Sequence, residues 1–122
     1  MHKILIAEDS SVIQNIARKV LEFQNFEITI AKNGKEVLQK LTTETYSVIL
    51  MDINMPQMDG IECARQIRLL EDTEKSQIPL VALTGNAKNY TEAEFQAVGI
   101  NYYLPKPIDF DALVELVKKI TA

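Results

Sequence analysis

Short apolar runs and helical stripes alternate along this chain. Ile4-Leu5-Ile6-Ala7 is a continuous apolar run of strand length, and Val12, Ile13, Ile16, Ala17, Val20 and Leu21 then recur at helical spacing. Residues 26–31 are rich in strand formers; Asn33-Gly34 breaks them, and Val37, Leu38 and Leu41 mark a second helical face. Residues 46–51 predict a third strand, residues 56–60 a turn, and Ile61, Ala64, Ile67, Leu69 and Leu70 a third helix. Residues 78–83 predict the fourth strand. Thr91 and Glu94 have capping-box spacing, and Gly99 is placed to end the fourth helix that they open. Residues 101–104 predict the last strand. Asp109 then caps a fifth helix with the apolar face Phe110, Leu113, Val114, Val117 and Ile120, and with Lys118 and Lys119 near its C-terminal end.

Five strand–helix units in strict alternation imply an α/β fold. Strands this continuously apolar bury both faces, so the expectation is a doubly wound, five-stranded parallel sheet with five helices, two-sided and covered. At 122 residues the chain has room for one core, and residues 1–122 are expected to form one domain. The apolar share of 47% and charged share of 25% are ordinary for a globular chain and leave no place for disorder or a fibrous repeat.

A net charge of −4 argues against nucleic acid, whose phosphates call for a basic stripe, and favours a protein partner. The longest apolar runs are strand-length, far below the roughly 18 residues of a membrane span. No charged leader with an apolar core and cleavage site opens the chain, so the expected location is cytoplasmic. The lone Cys63 lies within a helical apolar stripe and is expected to be a buried thiol. His2, at a fraying terminus, is given no role.

In an open parallel sheet the ligand site lies beyond the carboxyl ends of the strands, where strand order reverses. Glu8 and Asp9 follow the first strand, Asp52 the third, Thr84 the fourth and Lys106 the fifth. Several carboxylates at close quarters need a cation to stay ionised together, and Mg²⁺ suits one or two carboxylates plus a phosphate oxygen. An aspartate can attack phosphorus to form an acyl phosphate, with an ammonium and a hydroxyl to steady the transferring oxygens. Position alone does not separate this site from a set of solvated loop residues.

The motifs separate the two. Met51-Asp52-Ile53-Asn54-Met55-Pro56-Gln57-Met58-Asp59-Gly60 resembles the phosphoacceptor signature of response-regulator receiver domains. Glu8-Asp9 resembles their acidic pair, Leu83-Thr84-Gly85-Asn86-Ala87 their switch-threonine segment, and Tyr103-Leu104-Pro105-Lys106-Pro107 their lysine-proline segment. The resemblance covers essentially the whole chain in order. It departs at Asn101, where many relatives carry an acid, and Gly85 is one of two small residues common after the threonine.

The resemblance implies a flavodoxin-like sheet of order 2-1-3-4-5 and Asp52 as the phosphoacceptor. It implies Mg²⁺ bound directly by Asp9 and Asp52, through water by Glu8, and by the backbone carbonyl of Asn54. Thr84 would hydrogen-bond the phosphoryl group, Lys106 would pair with it, and Tyr103 would turn inward when Thr84 moves. A cis peptide bond between Lys106 and Pro107 is implied as well. Asn54 and Asn86, each two positions after a key residue, are placed to tune the lifetime of the acyl phosphate. The donor would be a sensor histidine kinase or histidine phosphotransfer protein. The downstream target would be another protein, docking on residues 91–98, 101–104 and 109–120.

Three alternatives compete. A phosphohydrolase of the haloacid-dehalogenase type also attacks through a strand-end aspartate, but it wants a second acid where Asn54 stands. A flavin-binding electron-transfer domain would need a phosphate cradle where Glu8 and Asp9 would repel phosphate. A receiver-fold interaction module that never takes phosphate would not need the full set of site residues present here.

Overall fold

In the computed structural model, which describes residues 2–85 and 91–122, the apolar runs form strands β1 (Lys3–Ala7), β2 (Glu27–Ala31), β3 (Val48–Asp52), β4 (Leu80–Thr84) and β5 (Tyr102–Pro105). Every neighbouring pair is parallel and the sheet order is 2-1-3-4-5, as the resemblance implies. The helices are α1 (Ser11–Phe23), α2 (Gly34–Leu41), α3 (Gly60–Arg68), α4 (Thr73–Ser76), α5 (Glu92–Ala97) and α6 (Phe110–Thr121).

Among the described residues six helices stand where the sequence predicts five. The extra one, α4, is a single turn capped by the Asp72 side chain, which accepts from the Lys75 amide. It buries no residue, so it leaves no apolar stripe to be read in the sequence. The predicted fourth and fifth helices are therefore α5 and α6.

The strand bounds shift by a residue or so throughout, and two strands start two residues later than expected. The fourth strand starts at Leu80 rather than at residue 78 because Pro79 has no amide to give the ladder, although its carbonyl accepts from the Ile49 amide at 3.0 Å. The third begins at Val48 and runs on to include Asp52, which places the carboxylate on the last residue of the strand rather than in the loop beyond it.

Alternation along the strands sorts the core into two layers. Ile4, Ile6, Val48, Leu50, Val81 and Leu83 face one side, against Ala17 and Leu21 of α1 and Leu113 and Val117 of α6. Leu5, Ala7, Ile49, Met51, Leu80 and Ala82 face the other, against Val37 and Leu41 of α2 and Ala64 and Ile67 of α3. Each fully buried leucine or isoleucine contributes about 1.5–3 kcal/mol. A one-residue slip of register would exchange the two sets and force both layers to repack.

The helix starts follow their caps. Ser10, Asn33, Asp59, Thr91 and Asp109 each accept a backbone amide of the first turn, and Thr91 with Glu94 forms the complete capping box. Such a cap is worth about 0.5–2 kcal/mol. Gly99, at φ 83°, takes the left-handed position after α5 that favours glycine. Among the described residues no helix is long and apolar enough to cross a membrane.

Gly60 stands at the start of α3 for want of space. A Cβ there would lie 2.8 Å from the Asp52 carbonyl oxygen and 2.9 Å from the Ile53 Cα, both backbone atoms. At Gly85 a Cβ would meet only the flexible Lys106 side chain, at 3.5 Å. Gly60→Ala should therefore cost about 1–3 kcal/mol in urea unfolding, while Gly85→Ala should change stability by no more than about 0.5 kcal/mol. Equal effects would show that the close approach at Gly60 is easily relieved.

Cys63 is wholly buried, and burial, then the nearby Asp59 and Glu62 charges, push its thiol up to about 12. At neutral pH a thiol reagent should leave it unmodified in the folded protein and label it rapidly in denaturant. Fast labelling under native conditions would place the thiol at the surface.

Candidate functional site

The sheet order makes the site. The chain leaves β1 towards β2 on one side and later returns to β3 on the other, so the loops above β1 and β3 diverge and leave a crevice. Glu8 and Asp9 follow β1, and Asp52 ends β3. The register Ala7↔Met51 sets these carboxylates next to one another across the crevice. One carboxylate oxygen from each of Glu8, Asp9 and Asp52 lies within 4.8 Å of the others.

Glu8 is 1% exposed and Asp52 2%, which is deep enough that neither charge is tolerable without partners. The Lys106 ammonium supplies them, at 3.2 Å from Glu8 Oε2 and 3.2 Å from Asp52 Oδ2. The Ser10 amide donates to Glu8 Oε1 at 3.2 Å and the Asn54 amide to Asp52 Oδ1 at 3.0 Å. The first of these amides comes from the residue that caps α1. The second closes a short turn in which Asp52 binds the backbone two positions on.

The charges do not balance. Burial, then repulsion from Asp52, raises the Glu8 carboxyl above its ordinary pKa in spite of Lys106. Burial works against the Lys106 ammonium, but Asp52 and then Glu8 outweigh it and hold its pKa above that of an ordinary lysine. Three carboxylates around one ammonium leave an excess of negative charge lined with hard oxygen donors. That donor set fits a divalent cation of the Mg²⁺ kind, which binds to one or two carboxylates and keeps several waters.

Thr84 ends β4, buried, at the strand next to Asp52, and its carbonyl accepts from the Lys106 amide at 2.8 Å. The Lys106–Pro107 peptide bond is cis, as the resemblance implies. The Asn54 side chain is exposed above the crevice. Asn86 lies outside the described residues. Tyr103 is not part of the cluster: it is 43% exposed, points outward, and its hydroxyl donates to the Glu92 carboxylate.

The loop between Asp52 and α3 is tightly tied. The Ile53 amide donates to the Leu83 carbonyl at 3.1 Å, and the Gly60 amide returns to the Ile53 carbonyl at 2.9 Å. Between them the Met58 amide donates to the Pro56 carbonyl at 2.7 Å across Gln57, whose φ of 68° is unusual for a residue with a side chain. Sequence reasoning missed Glu92. An acid in the first turn of a helix reads as a helix-end charge, and only its facing partner Tyr103 shows otherwise.

An open parallel α/β sheet with a carboxylate-rich crevice and a lysine reaching into it is a setting suited to a divalent cation and an anionic group beside it. Comparison with known proteins narrows this. The family described as the response regulator receiver domain matches residues 4–118, and the chain belongs to it. It is 37% identical over 120 residues to hybrid signal transduction histidine kinase I of Dictyostelium discoideum, a match that covers 94% of this chain and 7% of that protein. It superposes on the chemotaxis protein CheY4 of Vibrio cholerae with a TM-score of 0.89 at 28% identity, over 98% of each chain. It also matches the receiver domain of sensor histidine kinase PA1611 of Pseudomonas aeruginosa, with a TM-score of 0.87 at 29% identity, over 99% of this chain and 98% of that one. That structure has a magnesium ion coordinated in the active-site cleft. The chain spans only 5% to 17% of the length of the first four curated relatives. Receiver domains are phosphorylation-driven switches of two-component signalling, and they are phosphoacceptors rather than enzymes of the turnover kind.

Mg²⁺ should stabilise the protein by about 1.4 kcal/mol at ten times its dissociation constant, and so raise the unfolding midpoint. Asp9→Asn should remove most of that gain. A midpoint unmoved by millimolar Mg²⁺ would show that the cluster holds no such ion.

Proposed function

We propose that residues 1–122 form one receiver domain that accepts a phosphoryl group on Asp52 from the phosphohistidine of a sensor histidine kinase or histidine phosphotransfer protein. The observation that supports this most is the setting of the Asp52 carboxylate. It is buried at a strand end, one oxygen on the Asn54 amide and the other on Lys106, beside Glu8 and Asp9. An Asp52 oxygen attacks phosphorus, the phosphorus–nitrogen bond breaks with its electron pair going to the imidazole, and an acyl phosphate remains. Alignment and charge neutralisation are what such a transfer needs from a protein.

Asp9, Asp52 and the Asn54 carbonyl would hold Mg²⁺ directly and Glu8 through water. When bound, the ion neutralises charge on the transferring oxygens. Lys106 stays paired with the new phosphoryl oxygens as the Asp52 carboxylate gives up its charge. The Thr84 hydroxyl bonds the phosphoryl group, and Tyr103 takes the space that Thr84 vacates. Asn54 and Asn86 steer water towards the acyl phosphate and so set its lifetime.

The added charge shifts the loop after β3 and draws on Thr84 at the end of β4, and the face built from α5, β5 and α6 carries the change to a protein target. The domain works in the cytoplasm, where phosphorylated histidine kinases present their phosphoryl groups. The same site without turnover of a released substrate makes the domain a switch, and a target read by shape needs no nucleic acid or membrane.

Incubation with acetyl phosphate and Mg²⁺ should add the mass of one phosphoryl group to the intact protein. Asp52→Asn and omission of Mg²⁺ should each abolish the gain. A gain that persists in Asp52→Asn would move the acceptor elsewhere. No gain in the wild type, with beryllofluoride also failing to bind, would make this an interaction module that acts without phosphate.

A further inference from the structure

The exposed Tyr103 ring needs something to hold it outside. An aromatic side chain at 43% exposure gives up burial that it would gain by turning inward, so the outward position needs compensation. Two contacts provide it. The ring lies against Phe95 of α5, with centroids 5.9 Å apart and planes inclined by 33°. The hydroxyl donates to the carboxylate of Glu92, the first residue of α5.

Glu92 is the acid of that first turn left to make this contact. Glu94 is committed to the capping box, its carboxylate accepting from the Thr91 amide and hydroxyl at 3.2 and 3.3 Å. The box in turn fixes the start of α5, so the Glu92 carboxylate is presented to β5 from a defined position. The bond to Glu92, then burial and the Glu92 charge, raise the Tyr103 phenol above its ordinary pKa, so the hydroxyl keeps the proton it donates.

We propose that Glu92 is a positioning residue, a latch that holds Tyr103 outward and so sets how readily the domain switches. The bond ties the edge strand β5 to the N-terminus of α5, two of the three elements on the readout face. It exists only while Tyr103 is outside. A ligand at Asp52 that favours the inward ring must therefore break it, and breaking it unties β5 from α5. A single exposed hydrogen bond to a carboxylate biases such an equilibrium by about two- to tenfold. The proposal rests on the switch reading of Thr84 and Tyr103 given above.

The test uses the full chain as wild type, Glu92→Ala, Tyr103→Phe and the double variant. Two readouts are taken: the apparent affinity for beryllofluoride with Mg²⁺, and the ring resonances of residue 103 in the ligand-free protein. Glu92→Ala should bind beryllofluoride about two- to tenfold more tightly, with the ligand-free ring resonances moved towards their bound positions. In the Tyr103→Phe background, which keeps the ring and lacks the bond, the same substitution should change neither readout. An equal effect of Glu92→Ala in both backgrounds would place its action at the helix end rather than on Tyr103 and overturn the latch. So would unchanged resonances and affinity in Glu92→Ala while the wild type binds normally. Failure of the wild type itself to bind beryllofluoride would overturn the switch reading on which the latch depends.

Discussion

Two carboxylates, Glu8 and Asp52, lie buried side by side, and one ammonium from the far edge of the sheet holds them there. Taking an ion out of water costs several kcal/mol even after relaxation, so the pair is tolerable only with Lys106 between them and an amide on each free oxygen. That one side chain depends on the whole sheet. Lys106 follows β5, Asp52 ends β3, and β4 lies between, so with strands about 4.8 Å apart the lysine must reach across roughly 10 Å. Gly85 borders its path, leaving the flank of the Lys106 stem uncrowded.

The cluster is also deliberately unfinished. Burial, then repulsion from Asp52, leaves Glu8 reluctant to ionise, and the crevice's three carboxylates fit it for positive charge. The backbone around it is fixed by short-range bonds: Asn54 to Asp52, Ile53 to β4, Gly60 back to Ile53. Gly60 has no room for a side chain because α3 begins directly against the carbonyl of Asp52. A change in the charge of Asp52 therefore acts on a loop with few ways to absorb it locally.

Two of the three elements proposed to report such a change are thin. β5 is an edge strand of four residues and α5 a helix of six, whereas the central strands β1, β3 and β4 are buried on both faces. Elements with little buried surface open and shift at low cost, and bonds such as Tyr103 to Glu92 weigh more in them than they would in the core. In the proposed function the chemistry would sit where the fold is rigid, and part of the readout where it is lightly held.

The sequence alone carried the five strands, five of the helices and the caps at Thr91 and Asp109, because continuous apolar runs, helical stripes and Thr91–Glu94 are local patterns that local physics obeys; the caps Ser10, Asn33 and Asp59 showed only in the structure. The sequence also put Glu8, Asp9, Asp52 and Lys106 on one rim, where the structure brings them together, with Thr84 at the end of the neighbouring strand. It missed α4, a polar turn with no buried face, and shifted strand ends where Pro79 interrupts the ladder. What only the tertiary structure decided are relations between distant residues. Lys106 bridges Glu8, 98 positions away, as well as Asp52; Gly60 is a glycine because the backbone at Asp52 and Ile53 occupies its space; and Tyr103 points outward onto Glu92. Hydrophobic periodicity encodes which face a residue takes, but which charge meets which depends on strand order and register, and these exist only once the sheet has formed.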